Sequence, residues 1–169
     1  MDCPTDIVFV LDGSGSIGLS NFALMKSFLS RLVSRLDIDS GNTRVGLITY
    51  SSSVGSRFNL NDYSTVASVQ SAISALTYPS GGTNTGGALA YVRTTMLTSA
   101  AGDRGNVPNV VAVLTDGQSN DASYTQVYKQ FSCYLLHNKR ILIFWVSMSG
   151  ICNVISKPFN TNWLLTVVA

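Results

Sequence analysis

Four stretches of this chain are apolar almost without interruption, and each is as long as a strand. They are Asp6 to Leu11 (DIVFVL), Arg44 to Tyr50 (RVGLITY), Asn109 to Thr115 (NVVAVLT) and Arg140 to Ser147 (RILIFWVS). A strand with one wet face alternates apolar and polar residues, whereas a uniformly apolar one is buried on both faces, as in a parallel sheet covered by helices. Between these runs the apolar spacing changes to a helical period. Phe22, Met25, Phe28, Leu29, Leu32, Val33 and Leu36 line one face of a helix that Ser20 or Asn21 would cap. Helical spacing also marks Tyr63 to Leu76, Thr85 to Met96 and Ser123 to Leu136. Ser53 to Leu60 follows the second strand after too short a turn for a parallel crossover, so it pairs as an antiparallel hairpin. The expected fold is α/β: a doubly wound, Rossmann-like, mostly parallel sheet with one antiparallel edge strand and helices on both faces.

At 169 residues and 46% hydrophobic, the chain suits one domain with a substantial core. A net charge of +2, scattered along the sequence, gives no basis for binding nucleic acid or an anionic membrane surface. Nothing approaches the roughly 20 apolar residues of a membrane span. Met1-Asp-Cys-Pro leads straight into the first strand without a leader pattern, as expected of an excised domain or a fragment. Of three cysteines, Cys3 and Cys152 lie near opposite ends and could form a disulfide; free or buried thiols are the alternative, above all for Cys133 on its helix pattern.

Three polar segments sit at strand ends or a loop-to-helix junction: Asp12-Gly-Ser-Gly-Ser16, Gly81-Gly-Thr-Asn-Thr85 and Thr115-Asp116-Gly117. In doubly wound sheets the ligand crevice lies at the carboxyl ends of the strands. Asp12, Ser14 and Ser16 alternate along one loop that Gly13 and Gly15 allow to curl; Thr83 adds a hydroxyl and Asp116 a second carboxylate. Two carboxylates and three hydroxyls, without His or Cys, are the ligands of a hard cation such as Mg²⁺. With so few charged ligands the metal stays electrophilic, and an open position favours a carboxylate brought by a partner.

Catalytic readings fare worse. Gly13-Ser-Gly-Ser-Ile-Gly18 matches the G-x-G-x-x-G fingerprint, but the second strand ends in Tyr50-Ser-Ser-Ser53 with no acid to hold a ribose. Asp12 would also repel a pyrophosphate. The single histidine, His137, falls at an expected helix end and reads as a solvated cap. No Ser-His-Asp set, Walker loop or zinc-ligand spacing occurs.

From Asp6 to Asp121 the chain resembles a von Willebrand factor type A domain, most of all those of extracellular matrix proteins such as matrilins and collagen VI chains. The resemblance is carried by Asp6-Ile-Val-Phe-Val-Leu-Asp-Gly-Ser-Gly-Ser-Ile-Gly18, Thr43-Arg-Val-Gly46, Gly81-Gly-Thr-Asn-Thr-Gly86 and Leu114-Thr-Asp-Gly-Gln-Ser-Asn-Asp121. It implies a non-enzymatic, secreted adhesion module with a metal-ion-dependent adhesion site. Asp12, Ser14, Ser16, Thr83 and Asp116 match its five positions, with Mg²⁺ or Mn²⁺ as the cation. The hydroxyls would be direct or near-direct ligands, the aspartates direct or water-mediated. Asp121 matches a recurrent acidic position beyond the site, or caps the following helix. The implied partner is an extracellular protein, collagen or another matrix protein, presenting a Glu or Asp carboxylate. The alternative is a structural domain that assembles matrix through metal-independent contacts. Residues 1–150 would form the domain. Residues 151–169, including Asn162 to Val168 as one strand or short helix, form a divergent tail without the family's closing helix, which would bare apolar sheet surface and favour self-association.

Overall fold

The computed structural model describes residues 4–115 and the strand at 141–147. In chain order the elements are β1 (Thr5–Asp12), α1 (Gly18–Val33), β2 (Thr43–Tyr50), β3 (Val54–Phe58), α2 (Val66–Ser74), α3 (Thr85–Tyr91), β4 (Asn109–Thr115) and β5 (Ile141–Ser147). The sheet runs β3-β2-β1-β4-β5, parallel throughout except for the antiparallel edge strand β3. This is the expected α/β architecture. The chain leaves β1 for β2 and β3 and returns to place β4 on the other side of β1. The order therefore reverses at β1/β4, where such sheets open a crevice.

Side-chain alternation divides the core in two. Phe9 and Leu11 of β1 and Leu114 of β4 face α1 and α2, with Phe22, Met25, Leu29, Val69 and Ile73 packed over them. Val8 and Val10, with Ile48, Tyr50, Val111 and Val113, face the other way and are covered by Ala88, Leu89, Val92 and Met96. Both faces of β1 are dry, which is why its sequence reads as an unbroken apolar run. No described helix is long and apolar enough to cross a membrane.

Three helices differ in detail from their sequence patterns. α1 starts at Gly18, and neither Ser20 nor Asn21 caps it; Asn21 Nδ2 instead donates to the Ile17 carbonyl at 2.8 Å. Gly18 has φ of +73°, a left-handed conformation glycine enters freely, so the chain turns into the helix there without a side-chain cap. α2 is shorter than its pattern because Thr65 caps it, accepting from the Ser68 amide, while Tyr63 and Leu76 remain packed on the core outside the helix. The third pattern continues past α3 as a π-helical turn, Val92–Met96, closed by the Leu97 amide donating to the Val92 carbonyl at 2.9 Å. The extra residue in that turn lets Met96 and Leu97 both reach the core. The expected helix at 123–136, Cys3, Cys133, Cys152, His137, Asp121 and the tail lie outside the described residues.

At the amino end of β1, Asp6 is fully buried and paired with Arg104. Its Oδ1 accepts from Arg104 Nε at 2.9 Å and its Oδ2 from the Arg104 amide at 2.8 Å. The same guanidinium donates to the carbonyls of Thr5, Gly41 and Asn42, so it ties its own segment to the start of β1 and to the turn before β2. Removing one partner of a buried pair leaves an uncompensated charge, and Arg104→Ala is expected to cost about 3–5 kcal/mol, read as a lower urea midpoint. Thr65→Ala, which loses only the exposed cap of α2, should cost about 1 kcal/mol in the same measurement.

Candidate functional site

Asp12 is the last residue of β1 and is fully buried. Its Oδ1 accepts from the Ser14 amide at 2.9 Å, a short turn in which the side chain fixes its own loop. Its Oδ2 accepts from Thr115 Oγ1 at 2.6 Å, which ties the ends of β1 and β4 together across the switch point. Among the described residues no lysine, arginine or histidine pairs with this carboxylate; the only ion pair there is Arg104 with Asp6.

Neighbouring segments also hold the loop beyond Asp12. The Gly13 amide donates to the Tyr50 carbonyl at 2.7 Å and the Gly15 amide to the Gly81 carbonyl at 2.8 Å. Tyr78, whose ring packs on Phe22 with centroids 5.5 Å apart, donates its hydroxyl to the Ser14 carbonyl at 2.8 Å. Gly13 must be glycine because a Cβ there would collide with the ring of Pro79. The loop so fixed turns Ser14 Oγ and Ser16 Oγ to within 3.1 Å of each other. Ser14 is buried and Ser16 exposed, so the pair stands at the boundary between core and solvent.

The second segment is anchored to the turn after β2. The Gly82 amide donates to Ser52 Oγ at 2.8 Å and the Asn84 amide to the Ser51 carbonyl at 2.8 Å. Asn84 Oδ1 caps α3 by accepting from the Gly87 amide. Thr83 lies between these anchors, just before α3 and largely buried, and its hydroxyl has no hydrogen-bond partner among the described residues. Asp12, Ser14 and Ser16 thus converge in one loop, and the Gly15–Gly81 bond brings the Thr83 segment alongside. Asp116 lies outside the described residues, next to Thr115.

The donor chemistry fits a small hard cation. Oxygens on adjacent corners of an Mg²⁺ octahedron, at 2.0–2.1 Å from the metal, stand about 3 Å apart, the spacing of the two serine hydroxyls. Among the described residues no group of three or more His, Cys, Asp or Glu side chains is placed to hold a metal ion. A phosphate cradle does not fit: the amides of Gly13, Ser14 and Gly15 are already committed to Tyr50, Asp12 and Gly81.

Sequence reasoning missed Tyr50, Thr85 and Thr115. Tyr50 is fully buried and its hydroxyl lies 3.1 Å from Thr85 Oγ1. Burial first, and then the Asp12 carboxylate, push the phenol well above its ordinary pKa, so it stays protonated. Thr115 adjoins the Asp116 of its motif and was the more findable; nothing in the local pattern marks a tyrosine at a strand end as a polar partner.

Residues 6–151 match the model of the von Willebrand factor type A domain. The chain is 44% identical over 120 residues to the collagen alpha-4(VI) chain of Mus musculus, covering 70% of this chain and 5% of that one. It is 40% identical over 117 residues to Matrilin-1 of Homo sapiens, covering 69% of this chain and 24% of that one. The chain thus spans a small part of the length of each of these relatives. Among solved structures, proximal thread matrix protein 1 from the mussel byssus superposes with a TM-score of 0.77 at 21% identity, over 91% of this chain and 46% of that one. A second structure of that protein, with a zinc-occupied MIDAS motif, gives a TM-score of 0.70 at 27% identity, over 90% of this chain and 39% of that one. The chain belongs to the von Willebrand factor type A domain family.

Proposed function

We propose that this chain is a non-enzymatic protein-binding module whose contact with its partner is completed by a divalent cation. Asp12, Ser14, Ser16, Thr83 and Asp116 would hold Mg²⁺ or Mn²⁺, and the partner, collagen or another extracellular matrix protein, would supply a Glu or Asp carboxylate. Residues 1–150 are the binding domain and residues 151–169 a tail outside the family pattern. The relatives named collagen, matrilin and thread matrix protein favour an extracellular, matrix setting.

One observation carries the reading. Two aspartates, both fully buried, end the same strand. Asp6 has Arg104; Asp12 has hydrogen bonds from Ser14 and Thr115 but no protein cation among the described residues. A buried carboxylate is stabilised by a cation as well as by hydrogen bonds, and at Asp12 the cation is expected from solution. When bound, the metal supplies an electrophilic centre for an incoming carboxylate. The chain's part is to fix Asp12 in one rotamer, hold the serine hydroxyls at octahedral spacing, and keep Ser16 at the solvent boundary where a partner can reach.

Thermal unfolding in EDTA, then in Mg²⁺ or Mn²⁺, tests this. A cation at one hundred times its Kd stabilises by about 2.7 kcal/mol, a rise of about 5–10 °C for a chain this size. Asp116→Ala should abolish the rise. A cooperative transition indifferent to both metals would sink the cation reading and favour metal-independent matrix assembly.

A further inference from the structure

We propose that Tyr50 is a positioning residue that joins the two halves of the cation site, the Asp12–Ser16 loop and the Thr83 segment, through its carbonyl on one side and its phenol on the other. The inference rests on the cation reading above and names a residue outside the five expected ligands.

The register places it. Asp12 is opposite Tyr50 in the β1–β2 pairing, and Thr115 follows Leu114, which is opposite Leu11 in the β1–β4 pairing. Tyr50, Asp12 and Thr115 therefore form a row across three adjacent strands. Alternation turns that row toward α3, since Tyr50 packs with Val8, Val10, Ala88 and Leu89. Thr85, the first residue of α3 and also buried, meets the row from above, with its Oγ1 3.1 Å from the Tyr50 hydroxyl. Beyond the effect of burial, the Asp12 carboxylate lies close enough to that hydroxyl to raise its pKa.

Each contact bears on a different half. The Tyr50 carbonyl accepts from Gly13 at 2.7 Å and fixes where the loop leaves β1. Its phenol grips Thr85, two residues after Thr83. The turn that follows Tyr50 grips the same segment twice more, at Gly82 and Asn84. One strand end thus sets the separation between Ser14 and Thr83, and its phenol meets α3 while lying near Asp12. Groups that orient metal ligands from behind commonly change affinity 10- to 100-fold when removed. Tyr50→Phe deletes only the hydroxyl and leaves the ring to fill its space.

The test is calorimetric titration of the full chain with Mn²⁺, with melting in EDTA measured in parallel. Thr83→Ala reports on the ligand set itself. Tyr50→Phe should weaken Mn²⁺ binding about 10-fold, while the EDTA melting point changes far less than the Mn²⁺-loaded one. Thr85→Val should weaken binding to the same extent, the double variant no further than either single one, and Thr85→Ser should restore it. Wild-type affinity in Tyr50→Phe, beside a loss in Thr83→Ala, would overturn the proposal and leave the cation reading standing. A fall in EDTA stability with unchanged affinity would also overturn it, by making Tyr50 an ordinary core residue. Should Tyr50→Phe fail to fold, the Thr85→Val and Thr85→Ser pair decides the matter. Absence of binding by the wild-type chain to either Mn²⁺ or Mg²⁺ would overturn both.

Discussion

A carboxylate buried at the end of the central strand is the constraint around which this molecule is arranged. Asp12 emerges from an apolar run whose last four side chains, Val8 to Leu11, are in the core, and it is itself fully buried. Leaving such a group unpaired would cost several kcal/mol, so its surroundings must be polar and fixed. They are: the amide of its own loop and the hydroxyl of Thr115 from the next strand, with the buried phenol of Tyr50 close by on the strand on the other side. The opposite end of β1 solves the same problem differently. There Arg104 neutralises Asp6 and also binds three carbonyls, closing that end of the sheet. One end of the strand is sealed by a protein cation, and the other is held by neutral hydrogen-bond donors.

Placement of the hydroxyls follows from spending the backbone first. Gly13 and Gly15 give their amides to Tyr50 and Gly81, and Pro79 closes on Gly13 so tightly that no side chain fits there. With its amides used, the loop presents serine hydroxyls instead of N–H groups. This separates the site from the dinucleotide fingerprint its glycines imitate. Spacing of glycines is shared by both; what the intervening amides donate to differs, and only tertiary contacts reveal that.

The strands were legible because burial on both faces writes itself into composition. β1, β2 and β4 fall within a residue of their apolar runs, and the short Ser-rich turn correctly required β3 to be antiparallel. Helix ends were less legible. Gly18 begins α1 by backbone conformation where a polar cap was expected at Ser20 or Asn21, and no period distinguishes the π-helical turn from the α-helix before it. In the site, alternation of Asp12, Ser14 and Ser16 foretold their convergence. Tyr50 and Thr85 did not show, because their role depends on register between strands far apart in sequence. Tyr50 reads as core, and it is core; only the register that sets it opposite Asp12 and the packing of Thr85 on its hydroxyl mark it out.

The way Asp12 is held also bears on how the proposed site would engage a partner. Each hydrogen bond that its oxygens accept draws negative charge away from a cation bound nearby. A carboxylate sharing its charge with Ser14 and Thr115 is a weaker donor than one facing a metal alone. Serine and threonine hydroxyls add oxygen without adding charge. A cation held by such a set keeps much of its appetite for another anion, and Ser16, the exposed member, marks the side from which that anion can come. The same hydrogen bonds that make burial of Asp12 tolerable would thereby keep a metal bound there electrophilic, so that in the proposed site stability of the strand end and readiness for a partner's carboxylate would come from one arrangement.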